Sequence, residues 1–150
     1  MNPMLSQIFN FQNRAVMVGW FILICLPFWE FGRAIVSALI LALCASYVYL
    51  LLFGKRFDSP EQPPKGSFFT LSGVMRLFEH PRSTLAGWTH FLAFDLMVGL
   101  FIVNDAAQHG ISHGWLIPVL IATLMLGPSG LLLYVLLRLF YSGSLFDLGF

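Results

Sequence analysis

Hydrophobic residues in this chain are gathered into long runs instead of alternating with polar residues. Four runs stand out by their length and their scarcity of charge: Ala15–Trp29, Ala34–Phe53, Leu85–Val103 and Trp115–Phe140. A helix needs about 20 apolar residues to cross a bilayer, and the first run, which is shorter, can be lengthened by the preceding Phe9 and Phe11. The pattern predicts an all-α fold in which residues 1–150 form a single domain, a four-transmembrane-helix bundle.

The only sizeable polar segment, residues 54–84, joins the second and third runs. Its first part contains Pro60, Pro63 and Pro64, which predict a loop. Apolar residues then recur at intervals of three and four, as in a short amphipathic helix on the membrane surface: Phe68, Leu71, Val74, Met75 and Phe78. Pro81 is expected to end this helix. A plain loop is the alternative interpretation.

Basic residues are distributed unevenly between the two sides of such a bundle. With four crossings, seven of the eight share the side of the two termini and of residues 54–84: Arg14, Lys55, Arg56, Lys65, Arg76, Arg82 and Arg138. Arg33 lies on the other side. Because segments rich in Lys and Arg stay in the cytoplasm, both the N- and C-termini are expected to be cytoplasmic.

Composition narrows the class of protein further. The chain is 58% hydrophobic and only 10% charged, whereas soluble domains carry roughly 25% charged residues. The net charge of +1 offers no basic surface for nucleic acid. The first run ends in Leu26-Pro27-Phe28, without the small residues of a signal-cleavage site, and the N-terminus does not resemble a transit peptide. We therefore expect an integral protein of a bacterial inner membrane.

Asp95 is the one carboxylate inside the apolar runs, and it lies near the middle of Leu85–Val103. A charge at that depth is costly, so such residues usually carry function or a required buried pairing. At about 100° per residue, Asp95 shares a helix face with Trp88 and Gly99, whereas His90 lies about 140° away. Two interpretations stay open: a structural hydrogen bond to another helix, or a proton donor or acceptor in a dry cavity.

Other polar and small residues give further candidates. Three polar residues follow the third run and are expected to form a solvated interface: Asn104, Asp105 and His109. Small residues mark faces of the second and fourth runs, which we interpret as packing surfaces, with a ligand groove as the alternative. If a ligand is bound, the candidates to contact it are Trp88, Phe94, Gly99 and Tyr134.

The histidines do not predict a metal or haem site. His80 and His90 belong to the inner side of the predicted bundle, whereas His109 and His113 belong to the outer side. A bis-histidine haem needs two ligands at one depth on different helices, and zinc needs a Cys/His spacing that this chain lacks. No metal and no cofactor are expected.

The block Gly87–Gly99 reads Gly-Trp-Thr-His-Phe-Leu-Ala-Phe-Asp-Leu-Met-Val-Gly, which is long and unusual. It resembles the signature of the abscisic-acid-deficient-four family, the neoxanthin-synthase-like membrane proteins. Asp105, His113 and the run Leu126–Tyr134 are similar to the rest of the family's pattern. The resemblance extends over nearly the whole chain.

This resemblance implies a connection to carotenoids. Plant members of the family are associated with converting violaxanthin to neoxanthin, an isomerisation that opens an epoxide and makes an allene. Such a reaction needs an acid and a base but no redox cofactor. The resemblance therefore implies a carotenoid-modifying isomerase in which Asp95 is the acid/base residue and His90 its polar assistant.

Two other functions remain open from the sequence. The chain could be a non-catalytic accessory subunit that binds carotenoid, or partner helices, in a pigment-containing photosynthetic membrane complex. It could also be a small scaffold with a structural aspartate. The partners expected are the lipid bilayer, a carotenoid or other apolar polyene, and other membrane subunits.

Overall fold

The computed structural model describes residues 2–58 and 66–142, and within these ranges the chain is entirely helical, with no β-strand. Six α-helices follow one another in the described residues: α1 (Pro3–Cys25), α2 (Gly32–Leu52), α3 (Leu71–Phe78), α4 (Pro81–Gln108), α5 (His113–Leu126) and α6 (Pro128–Ser142). A short 3₁₀ turn, Gly54–Phe57, follows α2. The prediction of an all-α fold is confirmed.

Three helices, α1, α2 and α4, are long and apolar enough to cross a membrane. They contain most of the first three predicted runs, but α1 begins much earlier than Ala15. It starts at Pro3 because the Asn2 side chain accepts a hydrogen bond from the Met4 backbone N–H at 3.0 Å and so caps the helix. Proline suits a first helical turn, where its missing N–H would have no intrahelical partner. Length and composition thus indicate an integral membrane protein.

The predicted fourth run is divided into two helices. α5 has 14 residues and α6 has 15, so each is only about 21 or 22 Å long, shorter than the roughly 30 Å hydrocarbon core of a bilayer. The break is at Gly127, whose φ of +29° disfavours other residue types. Gly130 then lies directly against the backbone of Thr123, so the chain turns back sharply and α6 packs on α5. A single fourth span is not confirmed.

Between α2 and α4, the described residues include α3, which lies where the sequence predicted an amphipathic helix. The Thr70 hydroxyl caps it by accepting a hydrogen bond from the Gly73 backbone N–H at 3.1 Å. The helix ends at Phe78, before Pro81, which instead begins α4. The predicted proline-rich loop at residues 59–65 lies outside the described residues.

Contacts divide the chain into two compact units. The first contains the described residues of Met1–Ala15 and Leu41–Ala93, and the second contains those of Val16–Ile40 and Phe94–Phe150. The first unit has a core built on Leu5, Leu50, Leu85 and Ala86. In the second unit Trp20 is buried and its ring lies against Gly99.

Polar side chains connect the helices of the first unit. The Thr89 hydroxyl lies 2.9 Å from the Gln12 Oε1, and the Gln12 amide donates to the Ser46 hydroxyl at 2.8 Å. Arg82 forms an ion pair with Asp58 at 2.8 Å and also donates to the Leu50 carbonyl oxygen at 3.2 Å. Thr89, Gln12 and Arg82 are buried, and hydrogen bonding compensates the cost of removing them from water.

Candidate functional site

Asp95 is half-buried on α4, and its carboxylate lies against Gly127, between the end of α5 and the start of α6. A methyl group placed on Gly127 would lie 3.0 Å from the Asp95 Cγ and 3.3 Å from its Oδ2. The first turn of a helix carries unpaired N–H groups and a partial positive charge. The start of α6 therefore offers a favourable environment for this carboxylate, which remains partly accessible.

His90 belongs to the first unit, whereas Asp95 belongs to the second. The His90 ring is exposed and lies among aromatic rings, with its centroid 5.8 Å from that of Tyr47 and 6.2 Å from that of Phe91. The acid/base role of Asp95 and the assisting role of His90 stay predictions.

Trp88 lies at a cavity in the first unit. Its indole N–H donates to the Asn13 side-chain oxygen at 3.0 Å, and its ring centroid is 5.9 Å from that of Phe9. The cavity has a volume of about 560 Å³ and is bounded by the starts of α1 and α4, with Leu5, Phe9 and Leu85 among its apolar walls. Volumes of this order are typical of sites for small organic ligands.

The other three ligand-contact candidates lie in the second unit and in different surroundings. Phe94 is exposed. Gly99 is buried and is covered by the Trp20 ring, so its surface is occupied by the protein itself. Tyr134 is buried, donates a hydrogen bond to Asp105 and meets the Phe101 ring edge-on at 6.2 Å. Of these three, only Phe94 exposes its side chain to a ligand from the bilayer.

The three polar residues that follow the third run do not form the expected solvated interface, because Asp105 is buried. Asp105 is 6% exposed, and it forms an ion pair with Arg138, which is 2% exposed, over 2.9 Å. Tyr134 and His109 complete this group, which we call the buried charge cluster. The sequence interpretation placed Arg138 on the opposite side of the bundle because it treated α5 and α6 as one continuous helix.

Hydrogen-bond geometry in the buried charge cluster indicates which ring nitrogen of His109 donates and which accepts. Its Nε2 lies 2.8 Å from an Arg138 nitrogen, which can only donate, so Nε2 accepts. Its Nδ1 lies 2.8 Å from the Asp105 carbonyl oxygen, which can only accept, so Nδ1 carries the proton. Both contacts are satisfied by a neutral imidazole, and the negative charge of Asp105 is matched by Arg138.

Asn104 and His113 lie close in sequence to this cluster. Asn104 is half-buried, and its side-chain oxygen has no hydrogen-bond partner among the described residues. His113 bonds through Nε2 to the Ile24 carbonyl oxygen at 2.9 Å, which ties the start of α5 to the end of α1. Within residues 2–58 and 66–142 no group of three or more His, Cys, Asp or Glu side chains is placed to hold a metal ion.

Comparison with known proteins identifies a family. A family model described as ABA DEFICIENT 4-like matches residues 7–134, which is most of the chain. The match confirms the resemblance predicted from the block Gly87–Gly99. Comparisons with curated proteins and with solved structures gave no match.

Proposed function

Because this chain belongs to the ABA DEFICIENT 4-like family, we propose that it is a membrane protein that isomerises a carotenoid by acid/base chemistry at Asp95. The observation that supports this function is the position of the Asp95 carboxylate. It lies in an apolar helix, against the start of α6, and is only half-buried. An ionisable side chain at such a position is a functional candidate by default.

The proposed reaction rearranges bonds without adding or removing atoms. An acid donates a proton to the epoxide oxygen as one carbon–oxygen bond breaks, and the oxygen becomes a hydroxyl group. A base removes a proton from a neighbouring carbon, and the electrons of that carbon–hydrogen bond form the additional double bond of the allene. Asp95 is the proposed acid/base residue.

The side chains next to Asp95 and Gly127 along the chain are compatible with an apolar substrate. Phe94, Met125 and Leu126 are all exposed, at 47%, 72% and 68%. A polyene dissolved in the hydrocarbon core would reach such side chains without crossing water. Lipid tails suit the same surface, so the carboxylate, and not the apolar residues, distinguishes a reaction site from an ordinary lipid-facing surface.

The reaction is tested by expressing the protein in cells that make epoxide-containing xanthophylls and analysing their pigments by chromatography. We expect a new isomer that disappears in Asp95→Asn, while the amount of protein in the membrane and its melting temperature stay the same. Glu30→Gln is the matched control, because Glu30 is an exposed carboxylate in the α1–α2 connection. If the unaltered protein changes no pigment, the isomerase proposal fails for those substrates.

A second candidate function is carotenoid binding without catalysis, and the cavity at Trp88 favours it. This cavity has apolar walls and a few polar side chains at its edge, among them Asn10 and Glu79, a combination that suits the hydroxyl-bearing ring of a xanthophyll. We expect Trp88→Ala to reduce the pigment that co-purifies with the protein. Phe91→Ala is the control, since Phe91 is also an exposed aromatic residue of α4 but does not line the cavity. Partner subunits at fixed stoichiometry would favour an accessory role.

The proposed setting is the inner membrane of a bacterium, with the N-terminus and the α2–α4 connection in the cytoplasm. The basic residues of that connection and the positive-inside tendency support this orientation. We also place α3 on the membrane surface, because Leu71, Met75 and Phe78 are exposed, at 78%, 62% and 44%, on a short helix.

A further inference from the structure

We propose that α5 and α6 form a re-entrant hairpin, which enters and leaves the membrane at one surface, so that the chain crosses three times up to the end of α6, which lies on the side opposite the start of α1. This inference does not depend on the proposed isomerase activity. It rests on the contacts that α5 and α6 make with α1 and α4 inside the second unit, and these contacts fix the direction of each helix.

The first step is the relative direction of α1 and α4. Gly19 lies against the Leu96 side chain, while Trp20 and Leu23 lie against Gly99. Positions later in α1 therefore meet positions later in α4, so the two helices run parallel. The C-terminal end of α1 and the C-terminal end of α4 consequently reach the same surface of the membrane.

The second step is the starting point of α5. His113 is the first residue of α5, and its ring bonds to the carbonyl oxygen of Ile24, next to the last residue of α1. Only residues 109–112 separate α4 from α5. The hairpin thus begins at the surface that the ends of α1 and α4 share.

The third step is the direction of α6, which follows from three contacts with α4. Gly127 lies against Asp95, Tyr134 bonds to Asp105, and Arg138 contacts both Asp105 and His109. Later positions in α6 therefore contact later positions in and just after α4, so the two helices run parallel. The end of α6 therefore returns to the surface where α5 began.

The tip of the hairpin lies inside the membrane and not at its far side. By helical rise, Asp95 is about 20 Å from the Gln108 end of α4, which is less than the roughly 30 Å hydrocarbon core. Irregular backbone at such a depth is tolerated where protein covers it. Gly127 and Gly130 are both buried at this turn, in agreement with that requirement.

The arrangement also agrees with the distribution of charge. In the proposed topology Arg138 lies on the side opposite the N-terminus, and its charge is compensated there by the buried ion pair with Asp105. Six basic residues remain on the N-terminal side, against Arg33 and Arg138 on the other: Arg14, Lys55, Arg56, Lys65, Arg76 and Arg82. The positive-inside bias therefore still orients the chain with its N-terminus in the cytoplasm.

Cysteine labelling of the full-length chain tests the inference. Cys25 and Cys44 are exposed, so both are first replaced by serine. Single cysteines are then introduced as Lys55→Cys, as Ser112→Cys and after Phe150. Each variant is treated with a membrane-impermeant maleimide, in intact cells and again after the membrane has been permeabilised.

We expect the cysteine at position 112 and the C-terminal cysteine to react from the same side, and the cysteine at position 55 from the other. Labelling of the C-terminal cysteine together with position 55 would establish an even number of crossings and overturn the inference. A C-terminal epitope tag on the otherwise unaltered chain supplies a second measurement, which does not depend on the substitutions. Protease is added to sealed vesicles that are either right-side-out or inside-out. The tag should be cleaved in the same vesicles in which the cysteine at position 112 is labelled.

Discussion

At the scale of single residues, two separate constraints act on Gly127. Its φ of +29° is a conformation that side chains with a Cβ rarely adopt, and the Asp95 carboxylate fills the space that a Cβ would need. Both constraints follow from the sharp turn between α5 and α6. The absence of a side chain at Gly127 therefore permits both the sharp turn and the close approach of Asp95.

We predict that Gly127→Ala destabilises the protein by about 1–3 kcal/mol, because the added methyl group meets the Asp95 carboxylate in a strained backbone conformation. The measurement is thermal unfolding in one detergent. Gly114→Ala is the control, since the nearest described atom to a methyl group there would be the Ser112 hydroxyl oxygen, at 3.9 Å. An equal loss in both variants would contradict the close contact at Gly127.

Arg138 is the residue on which the buried charge cluster depends. Arg138→Met leaves the Asp105 carboxylate buried without its cation, and breaking a buried ion pair in this way typically costs about 3–5 kcal/mol. We expect a correspondingly large fall in the melting temperature. Arg33→Gln, at an exposed position, should change stability by less than about 0.5 kcal/mol.

The same cluster predicts non-additivity. The double variant Arg138→Met with Asp105→Leu removes both charges, so its loss of stability should be smaller than the sum of the two single losses. Additive losses would mean that the two side chains do not stabilise each other. Unfolding of all three variants in the same detergent decides between these outcomes.

At the scale of helices, the runs of apolar residues predicted α1, α2 and α4 well, because a long run of mainly apolar residues has few alternatives to a membrane helix. The predicted start of the first run, Ala15, missed the N-terminal turns of α1, which are more polar and which the Asn2 cap begins. Hydropathy does not detect such turns, since it measures transfer into lipid and not helix formation.

The hairpin was the part that hydropathy could not predict. The pair Gly127-Pro128 can end a helix, but such a pair also occurs in kinks of continuous helices. The decisive contacts, between Gly130 and Thr123 and between Gly127 and Asp95, depend on tertiary packing. Because the run was treated as one helix, Arg138 was predicted to lie far from Asp105. Asp105 follows an apolar run and Arg138 lies within one. Charged residues at such positions are often paired with each other, so their opposite charges could have indicated the ion pair.

A buried polar connection joins α1, α2 and α4, and the sequence interpretation did not identify it. The Thr89 hydroxyl lies within hydrogen-bond distance of both the Gln12 Oε1, at 2.9 Å, and the Leu85 carbonyl oxygen, at 2.8 Å. Gln12 in turn reaches Ser46 on α2. These side chains fix how the three helices align in the first unit.

We predict that Thr89→Val, which keeps the shape of the side chain, lowers stability by about 1 kcal/mol because it removes the donor to Gln12. Thermal unfolding in detergent measures the loss. Ser37→Ala is the control, since the Ser37 hydroxyl donates to the Arg33 carbonyl oxygen of its own helix and so does not connect two helices through this bond. An unchanged melting temperature for Thr89→Val would show that Gln12 finds another partner at no cost.

At the scale of the whole molecule, the chain can insert into the membrane in either of two opposite orientations. In one orientation the basic residues of the α2–α4 connection lie in the cytoplasm, and in the other they must be carried across the membrane. Lys55 and Arg76 are both exposed, so their charges can contribute to the positive-inside bias that selects one orientation. Between α1 and α2, by contrast, Glu30 lies in the connection and Arg33 lies in the first turn of α2, and their charges cancel.

We predict that shifting positive charge between these two segments produces a mixed population. In the chain with Lys55→Gln, Arg76→Gln and Phe28→Lys, two cations leave the cytoplasmic side and one joins the opposite side, where Phe28 is 92% exposed. Labelling of a cysteine introduced as Ser112→Cys should then occur from both surfaces, whereas Lys55→Arg with Arg76→Lys should keep one orientation. If the altered chain also keeps one orientation, packing of the three spans and the hairpin determines the topology, and the charge distribution only accompanies it.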